Sequence, residues 1–445
     1  MELVRNLRRL WRHQLFRRLL TVRIAVQSCD GLLQVALASF VLFSTQRQPD
    51  AASIATVLAI TLLPFSIAGP FVSVVLDRLS RRQALVTVDL ARAVLALVLA
   101  GLVAADLLVG AYELIFYALV LVLMSLNRFV LAALAASLPH TIDPDEYMVA
   151  NSVMPTIGPV GTVIGAGIGF AAKLLLGGQL SSSHTDGILF GVAAIGYVVS
   201  AGLARRIPRD ALGPDGTSPA TRARDIAAGL REALVHLRER SPAACALLTI
   251  AAHRLPYGVF TVATILVFRN HFHPVTEVDA ALADLGLVAG ATAGGFLAAA
   301  VVTPILSRRL GTRGWMIGTL VGSAVLQVLP GAIYQRWTLI VAAFGLGVLA
   351  QSIKICTDTV VHAHVDDDYK GRTFVFYDMI FNLTLVIAAY VTALIMPADG
   401  RSVAVMIGLA ICYLLVAVVF AVVSGRIGNE LMNRGQDESA TTQGV

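Results

Sequence analysis

Charged residues are scarce in this chain of 445 residues: Asp, Glu, Lys and Arg make up only 14% of it, whereas 57% of the residues are hydrophobic. Soluble domains carry about 25% charged residues, so this composition cannot cover a water-soluble globule of this size. The abundance of apolar residues also excludes an intrinsically disordered chain. The composition predicts an all-α protein that crosses a membrane many times, because a lipid-facing surface needs no charge.

Lysine and cysteine are also rare. The three lysines are Lys173, Lys354 and Lys370, so the net charge of +6 comes mainly from arginine. The arginines lie in short segments between apolar stretches and form no basic face of a soluble domain, which excludes a nucleic-acid partner. The four cysteines, at 29, 245, 356 and 412, fall in apolar stretches without motif spacing and are predicted to be core residues. His362 and His364 alternate near a helix end and do not share a face. The sequence therefore predicts neither a metal site nor a cofactor.

Twelve stretches are long and apolar enough to cross the hydrocarbon core as helices. They are predicted at 20–43, 52–76, 84–105, 112–138, 147–176, 187–206, 243–268, 282–306, 314–333, 337–363, 372–396 and 402–425. Twelve is an even number, so both termini lie on one side. Most arginines fall in the termini and in alternate loops, and by the positive-inside rule that side is the cytoplasm.

The long connection between spans 6 and 7 divides the chain into two similar halves. The predicted segments are an amphipathic N-terminus (1–19), a first six-helix half (20–206), a linker (207–241), a second half (242–426) and a polar tail (427–445). In the linker, Ile226, Leu230, Leu234 and Leu237 share one face of a predicted surface helix. The basic loop after span 2 has a counterpart after span 8, which indicates a duplicated six-span transporter unit with its site between the halves.

Spans 1, 4, 7 and 10 each carry polar side chains about ten residues from an end, which is near the bilayer midplane at about 1.5 Å per residue. These residues are Asp30, Arg128, His253, Arg254 and Lys354. Ionisable groups at this depth are functional candidates because lipid exposure is expensive. Asp30 is the first candidate for binding a proton, and Arg128 or Arg254 would compete with that proton for the Asp30 carboxylate. Asp358 and His253 are the next candidates. The alternative is a static charge network that only holds helices together.

Further charged residues lie near these positions. Lys354 and Asp358 are four residues apart, so they share a helix face and are predicted to pair. Asp89 and Arg92 are placed near the start of span 3, where we expect them to snorkel to the surface or support the preceding loop.

The loop between spans 2 and 3 carries the most diagnostic motif. Ser73-Val-Val-Leu-Asp77-Arg78-Leu-Ser80-Arg81-Arg82 resembles the Gly-x-x-x-Asp-Arg-x-Gly-Arg-Arg motif of the major facilitator superfamily, with serine at both glycine positions. The resemblance implies two six-helix halves with spans 1, 4, 7 and 10 around a central cavity. It also implies a cytoplasmic gate at Asp77, Arg78, Arg81, Arg82 and Asp378. Arg128 matches the membrane-embedded arginine that the family links to proton coupling.

Span 5 contains a second family motif. Gly158, Pro159, Gly161 and Gly165 resemble the Gly-Pro motif of the superfamily's antiporters, which implies export. Small residues at this spacing also permit tight helix crossing. The loops at 137–151 and 366–372 are similar to those of the enterobactin-exporter and macrolide-efflux branch.

Together these features predict a secondary active transporter, not an enzyme, that exports an amphipathic small molecule in exchange for protons. The predicted cavity residues Asp30, Arg128, Arg254 and Lys354 lean positive, which favours an anionic or zwitterionic cargo. Uptake or facilitated diffusion by the same fold is the alternative, and a membrane-embedded lipid-modifying enzyme is disfavoured because the outer loops are short. We expect a monomer in the lipid bilayer of a cell membrane, with protons and the cargo as its only partners.

Overall fold

The structure is a computed structural model that describes residues 10–43, 51–67, 80–107, 111–143, 147–176, 180–213, 223–274, 277–329 and 332–433. Ten helices in these ranges are long and apolar enough to cross a membrane. Apolar runs of this length fold as helices because a helix satisfies every backbone polar group within its own segment.

The helices are numbered here in chain order. The first six are α1 (Gln14–Phe43), α2 (Ala51–Ile67), α3 (Arg81–Ala104), α4 (Ala111–Ser137), α5 (Tyr147–Leu176) and α6 (Ser182–Arg205). The others are α7 (Ala223–Glu239), α8 (Ser241–Asn270), α9 (Val278–Val328), α10 (Arg336–His364), α11 (Asp367–Ile395), α12 (Val403–Ile427) and α13 (Asn429–Asn433).

Helix α9 contains two spans. Its 51 residues are interrupted at Gly311, whose φ of 77° lies in the left-handed region that favours glycine. A Cβ atom at this position would also lie 2.9 Å from the Asn433 side-chain amide. Counting both parts of α9 and the shorter α2, the structure provides the twelve spans that the sequence predicts, and the all-α fold class is confirmed.

The chain forms two compact units, residues 1–47 with 63–226 and residues 48–62 with 227–445. In the first unit α1 packs on α5 and α6, and α3 packs on α4 and α6. In the second unit α8 packs on α11 and α12, and α9 packs on α10 and α12. Spans 1, 3, 5 and 6 thus have the same neighbours as spans 7, 9, 11 and 12, which is the internal repeat that the sequence predicts.

The predicted linker helix is present as α7, and it lies against the start of α11. Arg240, just after α7, donates two hydrogen bonds of 2.8 and 3.0 Å to the Asp366 carboxylate. Arg372 donates a 3.0 Å hydrogen bond to Glu232. These contacts hold the connection between the repeats to the second unit.

Candidate functional site

A fully buried polar cluster lies between α1, α3 and α6 in the first unit. Asp30 forms an ion pair with Arg92 and accepts a 2.8 Å hydrogen bond from the Tyr197 hydroxyl. The Arg92 guanidinium also donates to the Tyr197 oxygen at 2.8 Å. A carboxylate oxygen of Asp89 lies 3.5 Å from the same guanidinium. Asp30 is 3% exposed, and Asp89 and Arg92 are 0% exposed. We call Asp30, Asp89, Arg92 and Tyr197 the Asp30 cluster.

The Asp30 cluster corrects one expectation and changes another. Arg92 lies near the middle of α3 and is completely buried, so the prediction that it and Asp89 snorkel to the surface is wrong. Asp30 pairs with Arg92 on α3, a partner that sequence reasoning did not consider. Arg128 lies on α4 beside the buried Asn127 and is itself partly buried. The three-residue spacing of Asp89 and Arg92 was the available signal for a pair within span 3.

Glycines of the span 5 motif bring α5 into backbone contact with α1. A Cβ atom on Gly165 would overlap the Ser28 carbonyl, and one on Gly161 would lie 3.0 Å from the Ile24 carbonyl oxygen. From the side of α1, a Cβ atom on Gly31 would overlap the carbonyl of Thr162 on α5. Gly158 is also buried, facing the Gln27 side chain, whereas Pro159 is exposed. The motif therefore fixes the position of the α1 segment that carries Asp30.

A second cluster lies in the second unit, on α8, α10 and α11, and is cationic and aromatic. The Arg254 guanidinium lies 3.5 Å from the centroid of the Phe381 ring and 5.5 Å from that of Tyr257. The Phe381 ring contacts the Tyr377 ring edge-on at 5.9 Å, and the Lys354 ammonium lies 5.5 Å from the Tyr377 centroid. We call these five residues the Arg254 cluster. Sequence reasoning missed its three aromatic residues.

The two cations of the Arg254 cluster differ in their partners. Lys354 donates a 2.7 Å hydrogen bond to Asp358, so the predicted pair is present, and both side chains are about one third exposed. Arg254 is partly exposed and has no carboxylate partner among the residues that the structure describes. Within the described part of the chain, the groups beside this charge are aromatic ring faces, which attract cations through their quadrupole.

His253, next to Arg254 on α8, is buried among aromatic rings. Its ring lies 5.2 Å from that of Tyr413 and 6.2 Å from that of Tyr257, and its Nε2 atom has no hydrogen-bond partner in the described part of the chain. A neutral imidazole suits this apolar environment. His253 is therefore a less favourable proton carrier than its position in span 7 alone indicates.

Part of the predicted gate lies outside the described residues, namely Asp77 and Arg78. Arg81 and Arg82, at the start of α3, bind the ends of neighbouring helices: Arg81 donates to the Ala136 carbonyl at 2.8 Å and Arg82 to the Arg205 carbonyl at 2.9 Å. In the corresponding loop of the repeat, Arg313 donates to the Ala421 carbonyl at 2.8 Å, within α12, and to the Asn429 side chain just after that helix at 2.9 Å. Cations suit these positions because carbonyl groups at a helix C-terminus carry partial negative charge. Asp378 is exposed on α11.

Charges in the connection between α11 and α12 are satisfied locally. Arg401 donates 3.1 Å hydrogen bonds to the Asp399 carboxylate from its backbone and its side chain. Slight burial raises the pKa of Asp399, but the bonds and charge of Arg401 outweigh it and lower the pKa overall. Burial raises the pKa of Tyr334, whose hydroxyl oxygen accepts a bond from the Ser402 amide. In the described ranges, no group of three or more His, Cys, Asp or Glu side chains could hold a metal ion.

Comparison with known proteins identifies the family. The model of the Major Facilitator Superfamily matches residues 246–438. The uncharacterised MFS-type transporter Rv0037c of Mycobacterium tuberculosis is 33% identical over 423 residues, which cover 94% of this chain and 93% of the relative. The chain belongs to the major facilitator superfamily. It is therefore a multi-pass membrane carrier of small molecules rather than an enzyme.

Solved transporters of this superfamily share the fold. The nucleoside transporter NupG is 13% identical, with a TM-score of 0.63 over 92% of this chain and 99% of its own. A POT family peptide transporter in an auto-inhibited form is 15% identical, with a TM-score of 0.62 over 92% of this chain and 97% of its own. The two proteins carry different cargoes, so the likeness extends to the fold and not to the substrate.

Proposed function

We propose that this superfamily member is a proton-coupled exporter of amphipathic anions or zwitterions that works by alternating access. The Arg254 guanidinium carries this proposal. It lies near the middle of α8, is partly exposed, and has only aromatic rings beside it in the described structure.

An uncompensated charge at membrane depth is costly, so a partner of opposite charge that arrives with the cargo gains a strong interaction. A carboxylate or phosphate could accept two parallel hydrogen bonds from the guanidinium. The rings of Tyr257, Tyr377 and Phe381 offer stacking surfaces for the apolar body of the same molecule. The Arg254 cluster therefore suits a cargo that combines one anionic group with a planar or aliphatic part.

Proton coupling is assigned to the embedded charges of both units. The candidates for proton coupling are Asp30, Arg128, His253 and Asp358. We assign cargo binding to Arg254 and Lys354, together with Asp30 and Arg128. Export is supported by the resemblance of Gly158, Pro159, Gly161 and Gly165 to the Gly-Pro motif of the superfamily's antiporters. We assign the cytoplasmic gate to Asp77, Arg78, Arg81, Arg82 and Asp378.

We further propose a monomer in a bacterial cell membrane with both termini in the cytoplasm. The arginine distribution supports this orientation, and the mycobacterial relatives support a bacterial membrane. The functional segments are those predicted from the sequence, with six-helix halves at 20–206 and 242–426 on either side of the linker.

The test is cargo-triggered proton release from inverted membrane vesicles with an acidified interior and an internal pH dye. Lysophosphatidylglycerol and a catecholate siderophore are the anionic probes, a fluoroquinolone is the zwitterionic probe, and ethidium is the cationic one. We expect an anionic or zwitterionic probe to release protons and ethidium to release none. Arg254→Ala should reduce the response to a transported anion at least tenfold.

Two variants serve as controls. Arg254→Lys keeps the charge but not the two-pronged geometry and should retain an intermediate response. Arg401→Ala removes an exposed arginine outside the spans and should respond like the wild type. A wild-type response from Arg254→Ala would refute the anion site. Labelled cargo that crosses without proton release would show facilitated diffusion instead of antiport.

A further inference from the structure

The Asp30 cluster contains more acids than bases. Its two carboxyl groups, Asp30 and Asp89, face one guanidinium, that of Arg92. Among the described residues, the other titratable or polar groups near Asp89 are Ser200 on α6 and Cys29 on α1, while Tyr197 on α6 contacts the same guanidinium. None of these adds a positive charge. If both carboxyl groups were ionised, a net negative charge would be buried at the middle of three membrane-spanning helices.

Such a charge is strongly disfavoured, because the transfer of an unpaired carboxylate from water to an apolar interior costs far more than its protonation. One proton added to the cluster makes it neutral. The charges of the described residues therefore favour a proton on one of the two carboxyl groups. The remaining question is which one.

The contacts distinguish the two acids. Asp30 accepts hydrogen bonds from both the Arg92 guanidinium and the Tyr197 hydroxyl, and two such donors stabilise an ionised carboxylate. Asp89 has the longer 3.5 Å contact with Arg92 at one oxygen, and Ser200 lies nearby. The second carboxylate oxygen of each acid lacks a hydrogen-bond partner in the described residues, so the two acids differ in the donors at their first oxygen. The ionised form is thus supported at Asp30 and poorly supported at Asp89.

We propose that Asp89, rather than Asp30, is the proton-carrying carboxyl group of the first unit, and that its proton is the one exchanged during transport. The location of the proton follows from the cluster alone, whereas its exchange rests on the proposed proton coupling. On loss of the proton, Asp89 becomes a second carboxylate that competes with Asp30 for Arg92. The contacts between α1, α3 and α6 therefore depend on whether Asp89 is protonated.

Asparagine substitutions separate the two carboxyl groups. Asp89→Asn replaces a neutral acid with a neutral amide of the same shape and should leave the melting temperature close to that of the wild type. Asp30→Asn removes the acceptor of two hydrogen bonds and forces Asp89 to ionise as the counter-ion of Arg92. It should lower the melting temperature markedly.

The matched control is Asp186→Asn. Asp186 is another buried acid of the first unit, and it has a basic partner of its own, Lys173, at 2.8 Å. This variant should lose stability without losing a protonated carboxyl group.

The direct measurement is infrared spectroscopy of the full-length protein in liposomes, following the carbonyl stretch of protonated carboxyl groups and its shift in D2O. We expect the wild type to show one such band that is absent from Asp89→Asn and retained in Asp186→Asn. Retention of the whole band in Asp89→Asn would overturn the assignment. So would a loss of stability in Asp89→Asn as large as that in Asp30→Asn.

A transport measurement then tests the exchange. In the inverted vesicles, Asp89→Asn should release at least tenfold fewer protons per cargo than the wild type. Undiminished release, with the band absent, would overturn the exchange. If the wild type itself releases no protons, the proposed coupling fails, and the infrared result still decides where the proton resides.

Discussion

Each unit contains an embedded arginine, and the two arginines have opposite kinds of surroundings. In the first unit, Arg92 is completely buried and is bound by Asp30 and Tyr197 on two other helices. In the second unit, Arg254 is partly exposed and faces aromatic rings without a carboxylate in the described residues. A compensated charge stabilises the resting structure, whereas an uncompensated one is available to a ligand. On the proposals above, this difference makes Arg92 a structural charge and leaves Arg254 available to a cargo.

The difference between the two units is tested most directly at Arg92. Arg92→Leu removes the partner of Asp30, and loss of one member of a buried ion pair costs about 3–5 kcal/mol. We expect thermal unfolding in detergent to occur at a much lower temperature. A thiol-reactive dye can follow it, because Cys29 is buried next to the cluster in the first unit.

The double variant Arg92→Leu with Asp30→Asn tests the reason for this loss. If an uncompensated Asp30 charge causes it, neutralising that charge should recover most of the lost stability. Equal losses in the single and double variants would instead show that Arg92 acts through packing alone.

The second-largest loss of stability is expected where α5 is in backbone contact with α1. Gly165→Ala places a methyl group on the Ser28 carbonyl, and forced overpacking of this kind typically costs about 1–3 kcal/mol. Gly167→Ala, on the same helix, meets nothing within 4 Å and is the matched control.

We expect Gly165→Ala to lower the unfolding temperature and Gly167→Ala to leave it unchanged or raise it, since alanine favours helix. Comparable behaviour of the two variants would show that α5 does not depend on its contact with α1.

The spans could be predicted from the sequence because apolar length is a local property. The pair of Lys354 and Asp358 was predictable for the same reason, since four residues along a helix bring both side chains to one face. Even the linker helix was predictable, and at Ala223–Glu239 it includes the four apolar residues on which its prediction rested.

The partners of Asp30 and Arg254 could not be predicted, because they depend on how helices far apart in sequence pack together. Tyr197 lies 167 residues from Asp30, and Phe381 lies 127 residues from Arg254. Hydropathy gives the depth of a side chain in the membrane but not the direction in which it points around its helix. Arg92 was misplaced for this reason: its burial comes from the packing of α3 on α6, not from its distance along the span.

The smallest expected change in stability is the most informative, because it should not be a loss, whereas Arg92→Leu should cause a large loss. Arg254→Met replaces an uncompensated guanidinium with an apolar side chain that can still contact Phe381. Removal of this charge should leave the stability of the protein unchanged or raise it by about 1 kcal/mol, in contrast to Arg92→Leu. Cys245 and Cys356 are buried in the second unit and report its unfolding in the same thiol assay. A loss of stability similar to that of Arg92→Leu would mean that Arg254 is a structural charge, and the distinction between the two units would fail. Unchanged stability together with lost response to an anionic probe would instead mean that the charge is kept for the cargo.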